Sequence, residues 1–146
     1  MGPLNRCVIA AAAVFAAAAI NAAAFGQAAA GKTVWDGVYA DAQSKRGEEV
    51  SKTSCVTCHG DELAGSDLAP ALKGDDFRAA WAGRTVGELF EKVQTTMPAD
   101  NAGSLKPQQS ADVVAYMFKI NEYPAGASGL ASEMAALKQI NITGKK

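Results

Sequence analysis

The residues of this chain whose types and spacing are best suited to chemistry lie together in the segment Cys55-Val56-Thr57-Cys58-His59. Two thiols at this spacing can each add to one vinyl group of the same porphyrin, and the next residue then brings an imidazole within reach of the iron. The C-x-x-C-H pattern is the attachment signature of a c-type haem. The segment therefore predicts one covalently bound haem c, with Cys55 and Cys58 as its attachment points and His59 as an axial ligand.

Two other interpretations of paired cysteines fit the surrounding sequence less well. A thioredoxin-like redox motif lies at the start of a helix that follows a strand, whereas residues 40–52 ahead of Cys55 have the pattern of a helix. A structural zinc site needs four nitrogen or sulfur ligands, and the predicted mature chain offers three, Cys55, Cys58 and His59. Haem attachment is the preferred interpretation, and a chance motif or another thiol role is the alternative.

The second axial ligand must come from another residue type, because His59 is the single histidine of the chain. Methionine, lysine, tyrosine and water are the candidates. Among the methionines, Met117 lies on an apolar helical stripe and Met134 in a weakly patterned tail, whereas Met97 precedes a proline in a loop. A soft thioether suits haem iron, so Met97 is the predicted ligand. The alternative for Met97 is a core side chain that fills a gap.

The first thirty residues resemble an export signal. Arg6 is followed by an apolar run over residues 7–20 and by an alanine-rich stretch that ends at Ala30. A short basic start, an apolar centre and small residues before a cleavage site are the parts of a signal peptide. We expect residues 1–30 to be removed and the mature protein to reach the periplasm. Earlier cleavage after residues 22–24, or an uncleaved segment anchored in the inner membrane, are the alternatives.

Composition limits the classes of function. The 146 residues are 49% apolar and 20% charged, which is ordinary for one small globular domain. Removal of the signal takes away Cys7 and leaves 13 basic against 15 acidic side chains, a formal charge of −2. Nothing in this balance favours nucleic-acid binding. A disulfide between Cys55 and Cys58 would close too short a loop to stabilise a domain appreciably.

The apolar spacing predicts an all-α fold with three main helices. The first spans residues 41–53, with Asp41 as its cap and Gly47 at a close helix contact. The second begins at the capping box formed by Thr85 and Glu88 and ends before Met97. Its buried face carries four apolar residues at helical spacing, Val86, Leu89, Phe90 and Val93.

The third main helix begins at Pro107 and ends near Asn121, with Val113, Met117 and Ile120 on its apolar stripe. A short helix capped by Asp75 or Asp76 should run to about Ala80, and a weak one should occupy residues 132–139. Residues 60–74 have the composition of a long ordered loop, which in a compact domain is usually functional. No segment shows the alternation of a strand.

These features together resemble a class I cytochrome c over nearly all of the predicted mature chain. The family pattern is a helix ending in C-x-x-C-H, a proline loop, and a methionine ahead of a C-terminal helix that crosses the first. Here it corresponds to residues 55–59, the loop 68–74, Met97-Pro98 and residues 113–120. The resemblance implies the cytochrome c fold. It also implies that the carbonyl of Pro70 accepts a hydrogen bond from the ligand histidine.

The resemblance extends to residues around the helix crossing and the haem edge. Gly47 and Tyr116 match the family's small residue and aromatic partner at the crossing, whereas Ser51 stands where relatives commonly carry an aromatic side chain. Trp81 resembles the family tryptophan that hydrogen-bonds a haem propionate, and Arg84 would assist it. The resemblance implies domain bounds of 31–123, followed by a C-terminal extension over 124–146.

Three short strings are similar to small cytochromes that accept electrons from pyrroloquinoline-quinone dehydrogenases: residues 34–39, 96–98 and 123–126. The expected function is therefore a soluble electron carrier that passes electrons from such a quinoprotein dehydrogenase to a respiratory acceptor. We expect the haem pocket to be apolar, with the residues Leu72, Phe77, Trp81, Leu89, Phe90 and Val93. A haem enzyme or a sensor of small ligands is the alternative of another class, and a helical binding module without haem is a third.

Overall fold

The fold is carried by six α-helices in residues 31–144, the part of the chain that the computed structural model describes. The predicted signal peptide lies outside the described residues. The helices are α1 (Asp41–Ser54), α2 (Val56–His59), α3 (Gly74–Trp81), α4 (Val86–Thr96), α5 (Pro107–Ile120) and α6 (Met134–Leu137). Two strands, β1 (Lys32–Thr33) and β2 (Ile140–Asn141), pair in parallel, and short 3₁₀ turns span Val34–Asp36 and Asp61–Leu63.

The crossing of α1 and α5 forms the centre of the molecule. Gly47 faces the backbone of α5, where an added Cβ would collide with the carbonyl of Asp112 and meet Cβ of Tyr116 at 3.0 Å. The close contact that the sequence predicts at Gly47 is therefore present, and Tyr116 adjoins it. Ser51 is buried on the same helix, so a small side chain takes the place of the aromatic residue that the resemblance would put there.

Two predicted helix caps differ from the structure. α1 begins at Asp41 itself, and Ala40 holds the capping position without a side-chain bond, so the prediction of Asp41 as the cap is wrong. α3 begins at Gly74, which puts Asp75 and Asp76 inside its first turn. Carboxylates in a first turn still interact favourably with the positive end of the helix dipole. The acidic residues therefore mark both helix starts, but they lie one to three residues after the capping position.

The starts and ends of α4 and α5 agree with the sequence. Thr85 Oγ1 accepts from the Glu88 N–H at 3.2 Å, and Glu88 Oε2 accepts from the Thr85 N–H at 2.8 Å, which is the predicted capping box. α4 ends at Thr96, one residue before Met97. Pro107 is the first residue of α5, and Gln109 Oε1 accepts from the backbone N–H of Lys106 at 3.0 Å.

The C-terminal segment packs along the domain. Gln43 on α1 bonds both backbone groups of Leu130, with its Nε2 donating to the carbonyl at 2.9 Å and its Oε1 accepting from the N–H at 2.5 Å. Further along, the Ile142 N–H donates to the carbonyl of Arg84 at 2.8 Å. Four apolar side chains of this segment are buried: Leu130, Leu137, Ile140 and Ile142. The segment therefore completes the hydrophobic core.

The all-α prediction is confirmed, and the two-residue strands are its one exception within residues 31–144. They form because the C-terminal segment runs beside the N-terminal arm, a pairing that no local pattern encodes. The last helix is also shorter than predicted, since α6 spans Met134–Leu137 rather than residues 132–139. None of the helices in the described range combines the length and hydrophobicity that a membrane span requires.

Candidate haem-binding site

The C-x-x-C-H segment forms the junction between α1 and α2. Cys55 lies between the two helices, and its carbonyl accepts from the N–H groups of Cys58 at 3.2 Å and His59 at 2.9 Å. Both cysteines are free thiols; Cys55 is half-buried and Cys58 is exposed. Burial raises the pKa of the Cys55 thiol. The single turn of α2 therefore brings two uncommitted thiols and one imidazole together within five residues.

His59 is held in one orientation by a backbone carbonyl. The imidazole is 8% exposed, and its Nδ1 lies 2.7 Å from the carbonyl oxygen of Pro70. Because a carbonyl can only accept, Nδ1 carries the proton and donates it. The lone pair then lies on Nε2, which is the tautomer that can bind a metal through Nε2. The contact that the resemblance implies for Pro70 is present.

The loop between α2 and α3 holds the Pro70 carbonyl through backbone and hydroxyl bonds. The Gly65 N–H donates to the carbonyl of His59 at 2.7 Å, and Ser66 Oγ donates to that of Cys58 at 2.5 Å. Leu63 is fully buried in a left-handed conformation, with φ of 59°, and its carbonyl accepts from the Leu72 N–H at 2.9 Å. Such a conformation is costly for a bulky residue and persists where the surroundings determine it.

A cavity of about 790 Å³ opens beside these residues. Its walls include every predicted site residue: Cys55, Cys58, His59, Pro70, Leu72, Trp81 and Met97. Of the remaining apolar residues predicted for the pocket, Phe77, Leu89 and Val93 also line it, whereas Phe90 does not. Phe90 is buried in the core, because consecutive helical residues point about 100° apart and Leu89 already faces the cavity.

Two of the methionines in residues 31–144 line the cavity. Met97 follows the last residue of α4 in an extended conformation, with its N–H donating to the carbonyl of Val93 at 3.2 Å; the Met97–Pro98 peptide bond is cis. Met117 lies inside α5 and is buried, in agreement with its place on the apolar stripe. The sequence pattern of Met117 did not indicate that it also faces the cavity.

Trp81 ends α3 at the cavity wall. Its ring lies 6.4 Å from that of Phe77, and the guanidinium of Arg84 lies over it, 5.4 Å from the ring centroid. Arg84 itself is not among the residues that line the cavity, whereas Lys92 on α4 is. Lys92 therefore brings a positive charge to this wall, beside the ring of Trp81.

Asn121, immediately after α5, bonds the loop beside the cavity, and the sequence analysis did not identify it as functional. It is 1% exposed, and its Nδ2 donates to the carbonyl of Leu72 at 2.9 Å and to that of Met117 at 2.8 Å. Its Oδ1 accepts from the Gly74 N–H at 3.0 Å. A polar residue after a predicted helix end resembles an ordinary stop signal, so the sequence alone does not indicate that Asn121 bonds the loop.

Comparison with known proteins identifies the family. The model of the family described as cytochrome c oxidase, cbb3-type, subunit III matches residues 42–117, which is 76 of the 146 residues. The chain belongs to this family of c-type cytochromes. The cytochrome matches no curated protein significantly. Among solved structures it is similar to the sulfane dehydrogenase SoxCD from Paracoccus pantotrophus, with 18% identity and a TM-score of 0.49. That alignment covers 74% of this chain and 61% of the other.

Family membership implies covalently bound haem c and haem-based electron transfer, and the residues around the cavity fit that cofactor. Two free thiols lie at the cavity wall, and the His59 tautomer leaves Nε2 free to coordinate iron. Thioethers and apolar side chains make up much of the remaining wall, including Leu72, Phe77, Leu89 and Val93. The predicted fold, family and cofactor are therefore confirmed.

Proposed function

We propose that this cytochrome is a periplasmic electron carrier with one haem c attached through Cys55 and Cys58 and with His59 and Met97 as axial ligands. The observation that supports it most directly is that one cavity is lined both by an imidazole with its Nδ1 bonded to Pro70 and by the thioether of Met97. With both axial positions occupied by side chains, no position is open for a substrate. The protein then acts by electron transfer rather than as an enzyme.

The haem, when bound, supplies an iron that takes up and releases one electron. The surrounding residues determine how readily it does so. The apolar wall formed by Phe77, Leu89 and Val93 excludes water, which disfavours the additional positive charge of the ferric state. A methionine ligand acts in the same direction, so we expect a reduction potential in the upper part of the range for c-type haems.

Met97 is a better candidate than Met117 because of the backbone that carries each. Met97 lies beyond the end of α4 in an extended conformation, so its thioether is not restricted by a helical rotamer. Met117 is an interior residue of α5 with 4% of its surface exposed, and it belongs to the hydrophobic core. We therefore assign Met117 to the wall of the pocket.

The absorption spectrum of the purified, haem-loaded protein tests the ligation. The oxidised wild type should show the weak long-wavelength band of an iron–methionine bond, and Met97→Ala should abolish it. Met117→Leu, a change of similar volume at the other thioether, should leave it in place. Loss of the band in Met117→Leu alone would reverse the assignment. Haem without this band, combined with ready binding of an added small ligand, would favour a haem enzyme or sensor instead.

The proposed electron donor is a pyrroloquinoline-quinone dehydrogenase, which rests on the similarity of residues 34–39, 96–98 and 123–126 to cytochromes with such partners. Electron-transfer complexes are short-lived and use small interfaces. The test is the rate at which a purified quinoprotein alcohol dehydrogenase with its substrate reduces the ferric protein, with a nicotinamide-dependent dehydrogenase as control. Equal, slow reduction by both enzymes would contradict this choice of donor.

We also propose that the protein is exported and cleaved after Ala30, and that the mature form is soluble in the periplasm. The mature form then consists of the domain 31–123 and its extension 124–146. The basic start and apolar run of residues 1–30 support this location. Cell fractionation followed by N-terminal sequencing tests it. Recovery of the haem protein in the membrane fraction with residues 1–30 intact would instead indicate an uncleaved anchor.

A further inference from the structure

We propose that Asn121 is a positioning residue for the axial histidine, acting through the loop that carries Pro70. The inference rests on the proposed ligation by His59. Asn121 lies outside the cavity lining, so it does not contact the haem pocket directly. Its amide instead connects the end of α5 to the last residues of the loop. Through that connection it fixes the carbonyl that orients the imidazole.

The orientation of the Asn121 amide is determined by its three partners. Both Nδ2 hydrogens are used, because the carbonyls of Leu72 and Met117 lie at 2.9 Å and 2.8 Å, and Oδ1 accepts from the Gly74 N–H at 3.0 Å. A flipped amide would bring its oxygen against two carbonyl oxygens and its NH₂ against an N–H. The amide therefore satisfies all three of these backbone groups only in the orientation observed.

Pro70 is held indirectly, by the residues on either side of it. Its ring is exposed, it lacks an N–H, and the loop must therefore be fixed on either side of it. On one side the Ser66 N–H donates to the carbonyl of Ala69 at 3.0 Å. On the other side Leu72 is held through both backbone groups, its N–H by Leu63 and its carbonyl by Asn121. Loss of the Asn121 bonds would release this second side.

The Pro70 carbonyl determines an electronic property as well as an orientation. A hydrogen bond from the second ring nitrogen of a metal-binding histidine raises the basicity of the ligand. A more basic imidazole stabilises the ferric iron. If the carbonyl moves away from Nδ1, the imidazole becomes a weaker donor and the reduction potential rises. Asn121 thus influences the potential without contacting the iron or its ligands.

The experiment compares haem-loaded wild type with Asn121→Ala and with Gln43→Ala, and follows the His59 Nδ1 proton by NMR in the reduced state. Gln43 is the matched control because its buried amide also both donates to and accepts from backbone groups. Those groups belong to Leu130, which is not part of the loop that carries Pro70. In Asn121→Ala we expect this proton to exchange with deuterium about tenfold faster and the potential to rise. Gln43→Ala should change neither.

A second variant keeps the test decisive if Asn121→Ala does not fold. In Asn121→Ser the hydroxyl can bond the carbonyl of Met117 four residues earlier, as serines in helices commonly do, but it is too short to reach Leu72. This variant removes only the connection to the loop, and it should accelerate exchange to a similar extent. Equal exchange rates in wild type, Asn121→Ser and Gln43→Ala would overturn the inference.

Failure of the proposed ligation would have a different signature. If His59 does not bind the iron, His59→Ala keeps the wild-type absorption bands. Failure of the Asn121 inference leaves the wild-type signal intact and appears only as the absence of a difference between variants. The two outcomes are therefore separable in one set of samples.

Discussion

The α-carbon of Gly47 lies directly against the backbone carbonyl of Asp112, so the two long helices cross at backbone contact. The crossing is part of the frame on which the C-x-x-C-H segment is built, because α1 ends at Ser54, one residue before Cys55. α5 in turn contributes Val113 and Met117 to the cavity wall. Any change in the distance between these helices is therefore transmitted to the cavity.

Gly47→Ala should lower the free energy of unfolding by about 3 kcal/mol, because the new methyl group overlaps a backbone carbonyl that cannot rotate away. The measurement is urea denaturation of the haem-loaded protein. Gly144→Ala is the control, since a Cβ at Gly144 meets nothing within 4 Å, and it should change stability by less than about 0.5 kcal/mol. Similar midpoints for the two variants would contradict the close contact.

The sequence predicts this contact because a glycine inside a helix is costly unless a neighbour needs the space. The haem attachment segment and the capping box at Thr85 are likewise local patterns, and the structure contains both. The bonds of Asn121 and of Gln43 could not be predicted in this way. Apart from Met117, their partners lie 47 to 87 residues away, and only the assembled fold brings them together.

Arg46 and Asp112 add an ion pair to the same crossing. The guanidinium donates from Nε and from one terminal nitrogen to the two carboxylate oxygens, both at 2.9 Å, while the carboxylate is almost completely buried. Gln108 also donates to Oδ1 at 2.8 Å. Arg46→Ala leaves Oδ2 without this partner, and we expect a loss of about 1–3 kcal/mol in the free energy of unfolding.

A double-mutant cycle checks the origin of that loss. Asp112→Asn in the Arg46→Ala background removes the buried charge and should recover part of the stability, as measured by the urea midpoint. Lys52→Ala serves as the control, because the ion pairs of Lys52 with Glu48 and Glu49 lie on the surface of α1 and should contribute little. If Arg46→Ala and Lys52→Ala have equal effects, the Arg46–Asp112 pair contributes no more than a surface pair.

The C-terminal extension should matter for stability and not for the haem environment. Leu137 on α6 is completely buried, whereas no residue between 118 and 144 lines the cavity. Leu137→Ala should lower the free energy of unfolding by about 2–5 kcal/mol while the absorption spectrum of the folded protein stays unchanged. Gln139→Ala is the control for stability, because Gln139 is exposed on the same segment and does not line the cavity. A spectral change in Leu137→Ala would show that the extension reaches the haem pocket.

The capping box of α4 gives the stability a dependence on pH. Hydrogen bonds from the Thr85 N–H at 2.8 Å and from the Thr85 hydroxyl at 3.0 Å lower the pKa of the Glu88 carboxyl below its ordinary value of 4.5. The folded state therefore binds this proton less readily than the unfolded state does. The resulting stabilisation is fully present above pH 4.5 and is lost as the pH falls through the lower, folded-state value.

Glu88→Gln removes the charge while it keeps the length of the side chain. The wild type should be more stable than this variant at about pH 7, and the difference should be smaller at about pH 3, because protonation of the carboxyl removes the stabilisation as the pH falls below 4.5. Urea midpoints at the two pH values measure it. Glu91→Gln removes an equal charge from the exposed surface of α4 without involving the cap. If its difference from wild type follows pH in the same way, the net charge of the helix is responsible and the capping box is not.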